Sequence, residues 1–137
     1  MRVVIDTNVI VSALVTRSGN PARVVEAALA GEITPVMDSR TIAEARAVLA
    51  RPAFATKHGI DPAWSQYVLD ALEDSGIVLE TVPTFGGSLP DESDRPFVEV
   101  ALAAGATLVT GNARHFPAET GVVVLSPAEA VQRLLGG

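Results

Sequence analysis

Short apolar runs alternate along the chain with longer stretches in which apolar residues recur at helical spacing. The short runs predict buried strands at 3–5, 34–37, 77–82, 107–110 and 122–125. The helical spacing predicts helices at 20–31, from 38 or 39 to about 51, at 61–76, at about 94–104 and from 126 onward. Three of these helices begin with a capping residue followed by proline, at Asn20, Asp61 and Ser126.

Strands that alternate with helices need crossover connections, which predicts an α/β fold with a mostly parallel sheet. No linker or internal repeat divides the sequence, so we expect one domain over 1–137. Ligands of such sheets bind outside the carboxyl ends of the strands. Polar residues that directly follow a strand are therefore the first candidates for function.

The composition limits the chemistry that these candidates can perform. Hydrophobic residues make up 48% of the chain and charged residues 19%, which suits a sheet covered on both faces. The absence of cysteine excludes disulfides, thiolate metal sites and a cysteine nucleophile, and two histidines weigh against a histidine-rich zinc site. Any metal is then expected to be held by oxygen ligands, as Mg²⁺ and Mn²⁺ are.

Charge and hydropathy bear on partners and location. The net charge of −6 weighs against a nucleic-acid binder, unless bound divalent cations offset several of the acids. Asp6 and Asn8 interrupt the N-terminal apolar run, which argues against a signal peptide. No run approaches the roughly 18 apolar residues of a membrane span. We therefore expect a cytoplasmic protein with no membrane partner.

The segment Asp6-Thr7-Asn8 follows the first predicted strand directly. A helix cap is one interpretation, since all three residue types cap helices well. A cap explains one polar residue rather than three, so we favour Asp6 as a metal ligand with a neighbouring side chain orienting it.

Two further segments carry acids whose roles stay open at this point. Glu44 falls on the flank of a predicted helix, where an exposed acid paired with Arg40 is the favoured interpretation when the residue is viewed alone. Asp94 suits a helix N-cap and a site ligand equally well. Asp91 is a weaker candidate, and Glu92 and Glu99 are expected to be solvated.

Thr110-Gly111-Asn112 follows the fourth predicted strand and, viewed alone, is typical of a turn. Arg114 could reach a phosphate, as could His115, although a lone histidine beside Phe116 more often packs or lies on the surface. Together, however, these segments bring acids to one sheet edge, where they would repel each other without a cation. That arrangement suits a phosphodiesterase.

The order of these motifs resembles the PIN-domain family over essentially the whole chain, and most closely the VapC-like toxins of bacterial toxin–antitoxin systems. The resemblance rests on Asp6-Thr7-Asn8, Glu44, Asp91-x-x-Asp94, Val-Thr-Gly-Asn112 and the His-Phe-Pro that follows. It implies a three-layer fold with a five-stranded parallel sheet, and RNA cleavage that depends on Mg²⁺ or Mn²⁺. It also implies an antitoxin partner and a homodimer or higher homo-oligomer.

Carried over to this sequence, the resemblance assigns site roles. Asp6, Glu44 and Asp94 would be the acidic metal ligands and, with Asn112, the catalytic residues. Asn112 replaces a fourth acid, which leaves the number of metal ions open, and Asp91 would compensate in part as a further ligand. Contacts to the substrate are expected from the residues Asn8, Thr110 and Arg114, with Arg40 as a further candidate for phosphate.

Two other interpretations remain. The first is a PIN-fold module that binds RNA or a protein partner without cutting, which Asn112 and the acidic charge favour. The second is a phosphotransfer domain of the receiver or haloacid-dehalogenase type. The second is disfavoured because Lys57, the single lysine, does not follow a strand, and because Asn8 stands where the phosphatase needs aspartate.

Overall fold

The computed structural model describes residues 1–136, and they form a five-stranded parallel sheet with the order β3-β2-β1-β4-β5. The strands are β1 (Arg2–Ile5), β2 (Thr34–Asp38), β3 (Ile77–Leu79), β4 (Thr107–Val109) and β5 (Val124–Leu125). This architecture confirms the predicted α/β class and the five-stranded sheet. The third strand is shorter than its predicted range of 77–82, because residues after Leu79 leave the sheet.

Seven α-helices and three short 3-10 helices connect and cover the strands over the described range. They are α1 (Thr7–Val15), α2 (Asn20–Leu29), α3 (Ser39–Leu49), α4 (Pro52–His58), α5 (Pro62–Ser75), α6 (Arg95–Ala104) and α7 (Pro127–Leu134), with 3-10 helices at Glu92–Asp94, Ala113–His115 and Ala118–Thr120. Within residues 1–136, none of these helices has the length and apolar character that crossing a bilayer requires.

Two of the helices were not predicted, for different physical reasons. Six of the nine residues of helix α1 are apolar, and Val9, Ile10 and Leu14 among them are buried, so the helix has little of the polar face that makes helical spacing visible. Helix α4 begins at Pro52, a residue that was interpreted as the end of the preceding helix. Proline is equally suited to the first turn of a new helix, and it serves that purpose here.

The two faces of the sheet bury separate apolar cores. Val3 and Ile5 of β1 point into the larger core, which packs against α1, α2, α3, α5 and α7. Val4, between them, points into the smaller core under α6. Strand β1 is thus buried on both faces at the centre of the sheet, as the unbroken apolar run predicted.

The topology opens a crevice beside β1. The chain runs outward from β1 to β2 and β3, then returns to place β4 on the other side of β1. Ile5 pairs with Val109, and the Asp6 N–H donates to the Val109 carbonyl at 3.0 Å. The carboxyl ends of β1 and β4 therefore border the point where the winding direction changes, which is where parallel sheets bind ligands.

A partly buried ion-pair network links α3 to α6. Asp38 caps α3 and also accepts from the Arg40 Nε at 2.9 Å. The Arg40 guanidinium reaches Glu99 at 2.7 Å, and Glu99 accepts from the Phe85 N–H at 2.8 Å. The prediction that Glu99 is solvated was therefore wrong. Glu99 is only 4% exposed, and its carboxylate pairs with Arg40, which lies 59 residues away in the sequence.

Candidate functional site

A cavity of about 410 Å³ lies at the carboxyl end of the sheet, beside β1 and β4. It brings together the four acids that the sequence singled out, together with both candidate amides. Its lining residues are Asp6, Thr7, Asn8, Val11, Ser12, Glu44, Val48, Asp91, Asp94, Asn112 and His115. No lysine or arginine belongs to this lining within residues 1–136, so the four carboxyl groups have no permanently charged basic side chain in the cavity wall.

Asp6 lies at the floor of the cavity and is 6% exposed. It precedes α1, yet its side chain makes no capping hydrogen bond to that helix. Its carboxylate instead accepts from the Thr110 hydroxyl at 2.8 Å and from the Asn8 amide at 3.3 Å. The side chain is therefore held toward the cavity rather than used to cap the helix.

The electrostatics of Asp6 follow from this position. Burial raises its pKa from 3.8 to about 6, and the hydrogen bond from Thr110 offsets only part of that rise. The nearby carboxyl groups of Asp94 and Glu44 add to it. Asp6 therefore holds its proton more tightly than an exposed aspartate does, because it is poorly solvated and lies near other carboxyl groups. A bound cation would lower its pKa again.

Glu44 faces Asp6 from α3. Its carboxylate accepts from the Thr7 hydroxyl at 2.6 Å, so the first turn of α1 orients the acid carried by α3. Arg40 does not pair with it, because the guanidinium is engaged by Asp38 and Glu99. The expected pairing of Glu44 with Arg40 was wrong, and the same contacts correct the idea of Arg40 as a phosphate ligand at the cleft.

Asp94 enters the cavity from the start of α6, with 13% of its side chain exposed. It makes no capping hydrogen bond to α6, and its Oδ2 lies 3.2 Å from the Nδ1 of His115. Burial, followed by the neighbouring Asp91, raises the pKa of Asp94. The side chain thus behaves as a cavity acid rather than as a helix cap.

Asp91 forms the exposed rim of the same wall. It accepts from the backbone N–H of Ser93 at 3.0 Å and from the Ser93 hydroxyl at 2.7 Å, and these bonds lower its pKa. Glu92 is exposed, as predicted, and is paired with Arg95 outside the cavity lining.

The β4 end contributes supporting hydrogen bonds as well as lining residues. Asn8 joins the two strand ends, since its amide donates to Asp6 and its Oδ1 accepts from the Gly111 N–H at 3.1 Å. The Thr110 hydroxyl also accepts from the Asn112 N–H at 3.0 Å. Asn112 is exposed at the rim, where its side chain remains available to a ligand.

These positions revise one of the three expected substrate contacts and leave the other two as predictions. Thr110 is fully buried, so it cannot touch a substrate directly, and its hydroxyl orients Asp6 instead. Arg114 is exposed but does not line the cavity, so its contact with the substrate stays a prediction. Asn8 lines the cavity and remains a candidate for such a contact.

The sequence analysis did not single out Ser12 as a residue of the cavity wall, and it did not predict the contacts that Thr7 and His115 make there. The expected role of a side chain next to Asp6 was to orient Asp6, whereas the Thr7 hydroxyl donates to Glu44 instead. His115 was a candidate for phosphate contact, with packing or a surface position favoured for a lone histidine, and in the structure it lies 3.2 Å from Asp94 across 21 residues. Only the spacing Asn112-x-x-His115, in a turn beside a strand end, could have indicated that the ring reaches the same cavity.

The arrangement suits a divalent cation bound by oxygen. Asp6, Glu44 and Asp94 come from three different elements and face one space. Burial raises the pKa of both Asp6 and Asp94, so their hydrogen-bond partners offset the cost of the charged forms only in part. Oxygen-rich, anionic walls of this kind are what Mg²⁺ and Mn²⁺ need.

Comparisons with known proteins identify the family and the fold. A family model described as "PIN domain" matches residues 2–114. The fold is similar to that of VapBC2 from Rickettsia felis bound to a promoter DNA fragment, at 19% identity and a TM-score of 0.65, covering 92% of this chain and 98% of that chain. VapBC-1 from nontypeable Haemophilus influenzae is similar at 17% identity and a TM-score of 0.63, covering 93% and 99%. PAE2754 from Pyrobaculum aerophilum is similar at 19% identity and a TM-score of 0.62, covering 100% and 91%.

No curated protein matches the chain in sequence. At the identities of the solved structures, the likeness shows a shared fold.

Proposed function

This chain belongs to the PIN-domain family, whose members are generally nucleases, and from that premise we propose that it is a metal-dependent endoribonuclease. The observation that carries the proposal is the set of four carboxyl groups in one cavity whose described lining has no lysine or arginine. The negative charges of these carboxylates repel one another, and bound divalent cations would offset that repulsion. A single-stranded RNA whose backbone phosphate enters the cavity would complete the site.

In this mechanism Asp6, Glu44 and Asp94 would hold the cation. The cation, when bound, supplies an acidified water and offsets the charge that develops on the phosphate oxygens. Thr110 and Asn8 keep the carboxylate of Asp6 aimed into the cavity, and Thr7 does the same for Glu44. Asn112, at the rim, is placed to hydrogen-bond a phosphate oxygen or the attacking water.

The test is cleavage of a mixed single-stranded RNA pool with Mg²⁺, with Mn²⁺ and with EDTA. Wild-type protein is expected to cut with either ion and not in EDTA, and Glu44→Gln should lower the rate by about a hundredfold or more. Glu119→Gln is the matched control, because Glu119 is exposed on a 3-10 helix outside the cavity. Equal cleavage by wild type and Glu44→Gln would overturn the mechanism.

A module that binds RNA or protein without cutting is the second candidate, favoured by Asn112 in place of an acid. It predicts that Mn²⁺ binds and that no RNA is cleaved under any condition. Asn112→Asp should then restore or raise cleavage if the missing acid alone limits turnover.

We further propose that the protein is the toxin of a toxin–antitoxin pair. The support is that two of the similar structures are VapBC proteins, one of them bound to promoter DNA. Expression of the chain alone should arrest growth, and coexpression of the small protein encoded beside it should relieve the arrest. Self-association as a homodimer or larger assembly stays a prediction, which light scattering of the purified chain would measure.

A further inference from the structure

A second cavity adjoins the one that holds the four acids. It measures about 290 Å³ and lies between α1, the first turns of α2 and α7, and the turn after β4. Three residues line both cavities, namely Asn8, Ser12 and Asn112. The remaining wall is formed by Val9, Pro21, Gly111 and Pro127. We call this second cavity the neutral pocket, because none of its lining residues within 1–136 carries a charge.

The two cavities differ completely in charge. Four carboxyl groups face the first cavity, whereas the described lining of the neutral pocket contains only apolar, amide and hydroxyl side chains. An RNA strand is divided in the same way, since each phosphate is charged and the ribose and base beside it are neutral. A strand whose phosphate enters the acidic cavity therefore places a neutral nucleoside in the space next to it.

Two prolines make the neutral pocket a poor site for a phosphate. Pro21 and Pro127 lie in the first turns of α2 and α7, where a helix otherwise presents free N–H groups to anions. Proline has no N–H to donate. Ser126 also caps α7 by accepting from the Glu129 N–H. The pocket thus offers ring surfaces on which a sugar or a base can pack.

The polar groups shared by the two cavities are available to a ligand. Within residues 1–136, the side chains of Ser12 and Asn112 make no hydrogen bond, although their backbone groups do. Asn8 is held by its bonds to Asp6 and to the Gly111 N–H, and its amide nitrogen keeps a second N–H. Hydroxyl and amide groups can hydrogen-bond ribose hydroxyls and base edges, which are the neutral polar groups of RNA.

We propose that the neutral pocket binds the nucleoside that adjoins the cleaved phosphate of an RNA strand. The inference rests on the proposed ribonuclease function and deepens it by locating a substrate-binding site beside the acidic cavity. Asn8 and Asn112 stand at the boundary between the phosphate and the nucleoside. The bound sugar and base fix which phosphate reaches the acids, so a non-reacting part of the substrate positions the reacting part.

The experiment is an NMR titration of the ¹⁵N-labelled full chain in EDTA with cytidine, with uridine and with adenosine. Inorganic phosphate at the same concentrations is the charged comparison. At least one nucleoside, at millimolar concentration, is expected to shift the backbone resonance of Gly111 and the side-chain amide resonances of Asn8 and Asn112. Phosphate is not expected to shift them. No shift with any nucleoside, or an equal shift with phosphate, would overturn the proposal.

An exposed aromatic pair elsewhere on the surface tests whether this binding is specific. Trp64 and Tyr67 stack with their ring centroids 5.6 Å apart, and both are exposed, so bases could stack there without entering any pocket. The indole N–H resonance of Trp64 reports that event. Shifts confined to Trp64, with Gly111 unmoved, would place the nucleosides on this surface and remove them from the neutral pocket.

Gly111→Ala narrows the neutral pocket without changing an acid. Gly111 does not have a positive φ, and a Cβ there would lie 3.5 Å from the Oδ1 of Asn8, an ordinary van der Waals contact, so we expect the variant to fold. Nucleoside affinity should fall by about tenfold, because the added carbon occupies space that the ligand needs. Gly86→Ala is the matched control, since a Cβ there meets nothing within 4 Å and Gly86 lines neither cavity.

Ser12→Leu is a second variant that fills the neutral pocket from α1. Ser12 is exposed and leucine favours the helix, so this change should also leave the fold intact. It should weaken nucleoside binding as Gly111→Ala does. Wild-type affinity for nucleosides in both variants would show that the ligand lies elsewhere.

Failure of the neutral pocket can be separated from failure of the proposed nuclease. If RNA is cleaved, Gly111→Ala should raise KM more than it lowers kcat, and its Mn²⁺ affinity in calorimetry should equal that of wild type. A loss of kcat alone would overturn the role of the pocket. Cleavage that requires Glu44, without nucleoside shifts, keeps the nuclease and removes the pocket. Nucleoside shifts at Gly111 without any cleavage keep the nucleoside site and remove the nuclease.

Discussion

Asp6→Asn is expected to stabilise the metal-free protein at neutral pH even though it removes a proposed catalytic acid. Burial raises the pKa of Asp6 from 3.8 to about 6. That difference corresponds to about 3 kcal/mol of unfavourable free energy for the charged form in the folded state. An amide at the same place carries no charge, and its oxygen can accept the same hydrogen bonds from Thr110 and Asn8.

The sign follows from proton linkage. Because the pKa of Asp6 is higher in the folded state, the folded protein binds this proton more tightly than the unfolded chain does. The associated stability is present below the ordinary pKa of 3.8 and is lost as the pH rises through about 6. The variant does not titrate there, so its advantage over wild type should grow by about 2 kcal/mol from about pH 4.5 to about pH 7.5.

The assay is urea denaturation in EDTA at both pH values, for wild type, Asp6→Asn and the exposed control Glu119→Gln. The other carboxyl groups, including those whose pKa is lowered by folding, contribute equally to the pH dependence of stability in all three proteins. Their contributions therefore cancel in the stability differences between variants. A stability difference that does not change with pH, or a variant that is less stable than wild type at the higher pH, would refute the reasoning. Added Mn²⁺ should stabilise wild type and the control more than Asp6→Asn.

Three further changes have expected outcomes. Thr110→Val should destabilise the protein by about 1–3 kcal/mol in urea denaturation and weaken Mn²⁺ binding in calorimetry, because the buried hydroxyl that orients Asp6 is lost. Glu99→Gln should lower the free energy of unfolding by about 1–2 kcal/mol, because it removes the negative charge that pairs with the half-exposed Arg40 of α3. Unchanged stability would contradict a stabilising role for that ion pair. Gly76→Ala should lower the melting temperature, because a Cβ there would lie 2.4 Å from the Pro35 carbonyl oxygen.

The sequence alone predicted the sheet and most of the cavity wall, because both depend on local patterns. Buried parallel strands are short apolar runs, and the residue that follows each run lies at the functional edge. Asp6 could be placed in this way. The order of the remaining acids then matched a known family, which located Glu44 and Asp94 although neither follows a strand.

What the sequence could not provide was the pairing of side chains across long separations. Arg40 pairs with Glu99 rather than with Glu44. The packing of α3 against α6 brings the buried carboxylate of Glu99 closer to Arg40 than the carboxylate of Glu44, which lies on the same helix as Arg40. His115 joins Asp94 for a similar reason, since α6 and the turn after β4 meet only in the folded chain. Helix α1 was not predicted because most of its residues are apolar and it has little of a polar face.

The hydrogen bond between Asp6 and Thr110 spans 104 residues, from the end of the first strand to the end of the fourth. A ribosome that has released only the first hundred residues has therefore produced every acid of the cavity but not the strand that aligns the innermost one. Since closing such a long loop precedes the gain from the contact, docking of β4 beside β1 is expected among the late events of folding. For the ribonuclease proposed above, this order would delay completion of the cavity until synthesis of the chain is nearly finished.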